Sequence, residues 1–396
     1  MILENAKIYT MNENADIIKN GYIEIEGGKI VAVGEGKSGK ESAVDLGGAS
    51  VYPGFIDAHT HMGLFNSGCG VEGEDFNEDS DPVTPQLSVI DAINPIDRSF
   101  EDALYSGITA VTVAPGSTNP IAGKVYTIST YGKRIDNMVL CQSGIKFALG
   151  ENPKMTYMNK EEAPVTRMAT AALIKEALSK AKRYMADKEK AFMDNEIDEP
   201  EYDAKNEALI PLLKGDIKAH FHCHRADDIF TAIRIAKEFD LKYNLVHCTE
   251  GHIIADELAK ENSDFVAITG PIISDRCKPE LAKLTTQNSA ILRENNVDVA
   301  ICTDHGEVPI HYLTLSAAIA VKAGMSEYDA LRAITITAAK AAGIDDVAGS
   351  VEISKRADLV IFENSPFDVM AEPLMVIAGG NVIDCKRSRV WREYNA

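Results

Sequence analysis

The chain has 396 residues, 45% of them hydrophobic and 25% charged, with a net charge of −20. Such a chain can bury a large core without disulfide staples, as two domains or as one large domain with an appendage. The acidic surplus argues against nucleic acid and anionic lipid as partners, and no run of about 18 apolar residues offers a membrane span. The opening Met1-Ile2-Leu3-Glu4-Asn5-Ala6-Lys7 has neither a basic n-region nor an apolar h-region, so no signal peptide is expected. Seven cysteines (69, 141, 223, 248, 277, 302, 385) are scattered without a CxxC pair and read as reduced thiols of a cytoplasmic protein.

In chain order, the first fifty residues read as short strands at Ala6–Thr10, Gly21–Ile25, Lys29–Val33 and Ser50–Tyr52, with Gly27-Gly28 as a turn. The stretch Gly34–Glu41, GEGKSGKE, nearly matches a phosphate loop. Glu41 stands where the magnesium-binding Ser or Thr belongs and no helix signal follows, so a solvated turn is expected there. The far end repeats the β-rich pattern at Ala357–Phe362, Leu374–Ile377 and Val382–Cys385. Both termini therefore predict one small β-sandwich domain, over 1–52 and 355–396.

Between them, apolar strand-like runs alternate with helical ones. The runs are Gly54–Asp57, Thr109–Ala114, Val125–Ser129, Ile145–Ala148, Ile217–His222, Tyr243–His247, Phe265–Thr269 and Val299–Thr303. Eight unalternated strands separated by helices predict an α/β fold, a parallel (β/α)8 TIM barrel over 53–354. A charged helical insertion interrupts it at about 153–213. Its stripe of Leu173, Ile174, Ala177, Leu178, Ala181, Tyr184 and Met185 reads as packing, over the barrel mouth or at a subunit interface of a homo-oligomer. The loop after the first strand carries six acids between Glu72 and Asp81, without calcium-loop spacing, and reads as solvated.

Barrel enzymes place their chemistry where strands run out. Those positions hold His59 and His61, Lys146, the crowded KAHFHCHR with His220, His222 and His224, then His247 and Asp304. One histidine ending an apolar strand is usually a hydrogen-bonded core residue. Metal-type ligands at five of eight predicted strand ends are hard to explain that way. His59 and His61 are two apart on a strand, so both leave the same face and supply half of a metal site. Asp304 can ligate from across the barrel or take a proton from water. Lys146 lies within an apolar run, where an ammonium needs a partner. That partner is Glu151 or another carboxylate, unless the amine is a carbamate bridging two metals.

The segments PGFIDAHTH (Pro53–His61), HCTE with His247, TDH (Thr303–His305) and GSVEISKRADLVIF (Gly349–Phe362) together resemble the amidohydrolase superfamily. More narrowly, the chain resembles the imidazolonepropionase-related branch that includes metal-dependent dipeptidases. The resemblance implies a hydrolase cleaving an amide-type C–N bond of a small-molecule substrate. It implies two zinc ions, one on His59, His61 and Asp304, the other on His222 and His247, bridged by carboxylated Lys146. An unmodified Lys146 implies one metal. Relatives end the fifth strand in a pattern whose first histidine is the ligand, which selects His222. Residues two apart on a strand differ in depth by about 6.6 Å, so His220 is expected deeper and His224 at the rim, meeting substrate. Deaminases and imidazolone ring openers, the alternative reading, carry a glutamate where Arg225 stands here. Arg225 cannot exchange a proton at neutral pH but can grip a carboxylate. Arg276 and Lys278 offer the same grip, against a bland reading as loop charges. The expected substrate is a dipeptide, an N-acyl amino acid or a similar carboxylate-bearing molecule.

Overall fold

Two eight-stranded sheets organise the chain in the computed structural model, which describes residues 1–40, 42–261 and 264–383. Glu41, Asp384 and Cys385 of the last predicted strand, and the rest of the tail to 396, lie outside the described residues. Among the described residues no helix is long and apolar enough to cross a membrane.

The first sheet joins the two ends of the chain. Ile2–Tyr9, Ile17–Glu26, Lys29–Glu35, Val44–Asp45 and Ser50–Pro53 come from the start, and Leu359–Phe362, Met375–Ala378 and Asn381–Ile383 from the end. The seam is Ser50–Pro53 running antiparallel to Leu359–Phe362, with Tyr52 opposite Val360. Alternation explains why these segments pair: Leu3, Ile8, Ile23, Val51 and Leu359 turn to one buried cluster, while on the other face Tyr52 and Val360 join the main core.

The second sheet is the barrel. Its strands are β1 (Phe55–Thr60), β2 (Ile108–Val113), β3 (Ile121–Ser129), β4 (Val139–Ala148), β5 (Lys218–Cys223), β6 (Tyr243–His247), β7 (Ala267–Thr269) and β8 (Val299–Ile301). They lie side by side in chain order. The expected strand number and order hold, but the expected parallel direction does not hold throughout. β3 runs antiparallel to both β2 and β4. The cause is the connections: 114–120 and 130–138 carry no α-helix to return the chain to the other end, only the 3-10 turn Ile135–Asn137, and short links force antiparallel neighbours.

Period-two alternation divides each strand between the interior and the helices outside. Ile56, Ala58, Ala110, Val246, Ile268 and Ala300 pack outward against Ala338, Ala339, Ala341 and Ala342. The intervening Asp57, His59 and His247 are buried too. In the insertion, Arg167–Met193 starts on Thr166, whose hydroxyl accepts from the Ala169 amide. Its Ile174, Leu178 and Ala181 join the main core, so the predicted stripe packs inward.

Asp57 closes the barrel. It is fully buried, and its Oδ2 accepts from the Thr303 amide at 3.0 Å and the Thr303 hydroxyl at 2.6 Å. Its Oδ1 accepts from the His59 amide at 3.1 Å, and the Asp304 amide donates to the His59 carbonyl at 3.2 Å. These bonds tie the chain just beyond β8 to β1. Asp57→Ala strands three buried donors and is expected to cost roughly 3 kcal/mol of stability. The check is a lower urea midpoint at unchanged m; an unmoved midpoint would show that closure does not depend on this carboxylate.

Candidate active site

Closure places the ends of β1 and β8 against each other, and a three-residue set forms there. His59, His61 and Asp304 can each offer a ligand atom, all within 4.8 Å of one another. Asp304 Oδ1 lies 3.4 Å from His59 Nε2 and 3.3 Å from His61 Nε2, and it has no hydrogen-bond partner. His61 donates Nδ1–H to the Ala114 carbonyl at 2.8 Å, which fixes the tautomer and leaves Nε2 free. Asp304 sits at φ 54°, a left-handed conformation that costs a non-glycine residue free energy and re-aims the side chain as β8 ends.

A second set forms over β5 and β6. His222, His224 and His247 also offer ligand atoms within 4.8 Å of one another. His247 donates Nδ1–H to the Gly270 carbonyl at 2.8 Å, and His224 Nδ1 meets the Thr249 hydroxyl at 2.7 Å. Neither ring nitrogen of buried His222 has a partner. His247 (φ 71°) and Cys248 (φ 45°) share the left-handed backbone of Asp304. The sets adjoin, with the His59 and His247 rings 5.6 Å apart.

Electrostatics keep these donors available. Burial holds His59 and His222 well below the ordinary histidine range and His247 at about 4, so all three are neutral at pH 7. Burial opposes ionisation of Asp304, but His247, His59 and His61 outweigh it and hold the carboxyl well below its usual range. Neutral imidazoles, one carboxylate and buried nitrogens without partners are the donor chemistry of a borderline divalent cation.

Lys146 is fully buried on β4, with Nζ 3.1 Å from His59 Nε2. Among the described residues it makes no ion pair, so the salt bridge weighed for it, to Glu151 or another acid, is not the arrangement found. Burial pulls its amine down to about 8, with Asp304 opposing. His220 stands beside it in register, buried, with both ring nitrogens unpartnered. Gly144 makes room for that ring: a Cβ there would lie 2.4 Å from His220 Cδ2.

A cavity of about 370 Å³ opens above the two sets, lined by His61, His222, His224, His247 and Asp304. Phe65, Phe76, Leu281 and Leu284 give it apolar walls, and Asn77, Ser117, Asn152 and Lys278 polar ones. The acidic loop is anchored beside it. Lys160 pairs with Asp79 at 2.7 Å and Lys205 with Asp81 at 2.5 Å, both lysines from the insertion. Between these acids and β1, Phe76 and Asn77 reach the wall.

His224 follows the end of β5 at Cys223, offers a ligand atom in the same set as His222 and His247, and lines the cavity. One placement differs from expectation. Arg225 does not face the cavity. It precedes the helix Ala226–Phe239 and closes on Asp227, with Nε–Oδ1 2.9 Å and Nη2–Oδ2 2.8 Å. Two residues were not read from the sequence at all. Asp57 looks like an ordinary strand position, and Glu280 lies in an unremarked loop. Glu280 is 1% exposed, 2.8 Å from Lys278 Nζ and 3.5 Å from His224 Nε2.

The amidohydrolase family model matches residues 50–383. The chain belongs to the amidohydrolase family, whose members are hydrolases acting on C–N bonds. A solved amidohydrolase from Thermotoga maritima MSB8 is similar at 37% identity and TM-score 0.91, covering 97% of this chain and 99% of that one. The imidazolonepropionase of Fusobacterium nucleatum is 26% identical over 89% of this chain and 87% of its own length. The amidohydrolase tasK of Hapsidospora irregularis is 24% identical over 85% of this chain, which spans only 36% of tasK.

Since Arg225 is spent on Asp227, Arg225→Ala is expected to leave KM unchanged. A marked rise in KM would return it to the substrate's path.

Proposed function

We propose that the chain is a divalent-metal-dependent hydrolase cleaving an amide-type C–N bond of a small molecule. The observation that supports this most is the pair of adjoining ligand sets under one cavity, with a buried lysine that makes no ion pair among the described residues beside them. In this reading His59, His61 and Asp304 hold one ion. His222 and His247 hold a second, with His224 as a further donor in the same set. Lys146, if its free amine adds CO2 with loss of a proton to solvent, would supply a carbamate as a further anionic ligand between the two sets; burial lowers its amine to about 8, which enlarges the free-amine fraction over that of an ordinary lysine. The nitrogen-rich sets suit zinc best, ahead of manganese or iron. When bound, a divalent pair supplies an acidified water and polarises the substrate's carbonyl.

The remaining steps belong to side chains. Asp304 takes the water's proton at its carboxylate and passes it to the leaving nitrogen. The Ala114 and Gly270 carbonyls hold His61 and His247 in one tautomer each. Phe65, Phe76 and Leu281 seat the apolar part of the substrate and limit water. The competing reading, a deaminase or cyclic-amide ring opener, calls for a carboxylate at position 225, where an arginine faces away. Dipeptides and N-acyl amino acids are the substrates to screen first.

Asp304→Asn is expected to lower kcat by about a hundredfold to ten-thousandfold, the usual span for losing a proton-transfer group. Retained turnover would remove Asp304 from the chemistry. Dialysis against a chelator should abolish turnover and lower Tm, because an ion binding only the folded chain stabilises it, with zinc restoring both. In protein equilibrated with 13C-bicarbonate, a carbamate carbon resonance should be present and should vanish in Lys146→Ala. Its absence from wild type would leave Lys146 an amine and argue for one ion.

A further inference from the structure

Among the described residues, Lys278 is the one lysine or arginine lining the cavity. The other cations near this loop are accounted for: Arg276 is exposed and donates to the Leu284 carbonyl at 2.7 Å, and Arg225 is closed on Asp227. Lys278 Nζ forms an ion pair with Glu280 Oε1 at 2.8 Å, outside hydrogen-bond geometry, and donates to Asn152 Oδ1 at 3.0 Å. An ammonium carries three donors, so it keeps donor capacity for a ligand.

The pair is oriented. The Glu280 side chain is 1% exposed, and its Oε2 accepts from the Glu151 amide at 2.9 Å, so the acid is fixed behind the wall. The Lys278 side chain is 27% exposed and faces the open space. Although the pair is neutral overall, its positive end meets whatever enters. Asn152 is fixed as well, since its Nδ2 donates to Ser117 Oγ at 2.7 Å while its Oδ1 accepts from Lys278. Ser117, Asn152, Lys278 and Glu280 thus form one connected polar row, which faces Phe65, Phe76 and Leu281 and the acids Asp304 and Glu307 across the same cavity. In a chain of net charge −20, a single ammonium held this way concentrates affinity for anions at one point.

We propose that Lys278 is the specificity-determining residue of this enzyme, binding the carboxylate of the substrate while the scissile amide lies over Asp304. This rests on the amide-hydrolase reading above and names its substrate class as amides bearing a free carboxylate, with an apolar group seated on Phe65, Phe76 and Leu281. Glu280 is the positioning residue that holds the ammonium in place from behind.

The test uses the metal-loaded full chain and two readouts. The first is calorimetric binding of matched products, leucine against leucinamide. The second is hydrolysis of N-acyl amino acids against their carboxamides. Wild type should prefer the carboxylate in both. Lys278→Met should raise KM for carboxylate substrates about tenfold to a hundredfold, the scale of one charge-assisted hydrogen bond, while lowering their kcat less. The preference over the carboxamide should shrink toward one, and Lys278→Arg should recover most of it. Because Lys278→Met leaves Glu280 buried without its partner, Lys278→Met with Glu280→Gln repeats the measurement in a fold with neither charge. Amide hydrolysis without a carboxylate preference, or with one that survives Lys278→Met, overturns the proposal and leaves the hydrolase reading intact. A carboxylate preference in binding that is lost with Lys278, in a protein that cleaves no amide, supports the subsite and sinks the hydrolase reading.

Discussion

The structure depends on one buried carboxylate that joins the first barrel strand to the last. Asp57 satisfies the Thr303 amide and hydroxyl and the His59 amide at once, and its neighbours on either side of it in the chain pack outward. β1 and β8 share no strand ladder, and the joint between them is made by Asp57 together with the Asp304 amide on the His59 carbonyl and the His61 amide on the His305 carbonyl. With it, His59 and His61 from one end of the chain meet Asp304 from near the other. The first donor set is a direct product of the closure, and the second adjoins it because β5 and β6 stand in register across the same interior.

Much of this was legible in the sequence because the relevant signals are local. A run such as YNLVH or FIDAHT is apolar enough to be a buried strand and ends in a ligand-type side chain, so both strand and candidate site follow from a few residues. Strand order followed too. The direction of β3 did not, because direction depends on whether a connection carries a helix, and 114–120 and 130–138 differ only subtly from the longer links. Arg225 shows the limit of reasoning by residue type: its chemistry suits a carboxylate, but Asp227, two positions on, is the carboxylate it grips. Glu280 carried no signal, since its importance lies in neighbours distant in the chain.

The insertion also gains a physical role from its partners. Lys160 and Lys205 reach across to Asp79 and Asp81, so part of the acidic loop is neutralised and held beside the mouth. Exposed pairs of this kind contribute little stability individually. Their effect here is positional, because Phe76 and Asn77 in the same loop form part of the cavity wall. The long helix Arg167–Met193 supplies the rigid base from which this is done, anchored by its buried stripe and by Arg167 pairing with Asp228 at 3.0 Å.

At the centre of the account is the convergence of five side chains from four strand ends on bound cations. Anomalous diffraction from crystals of the purified protein, recorded at the zinc, iron and manganese edges, addresses it directly. The account predicts two adjoining peaks, one against His59, His61 and Asp304 and the other against His222 and His247. A clean map with no anomalous peak at either set, from protein that is folded and active, would contradict it.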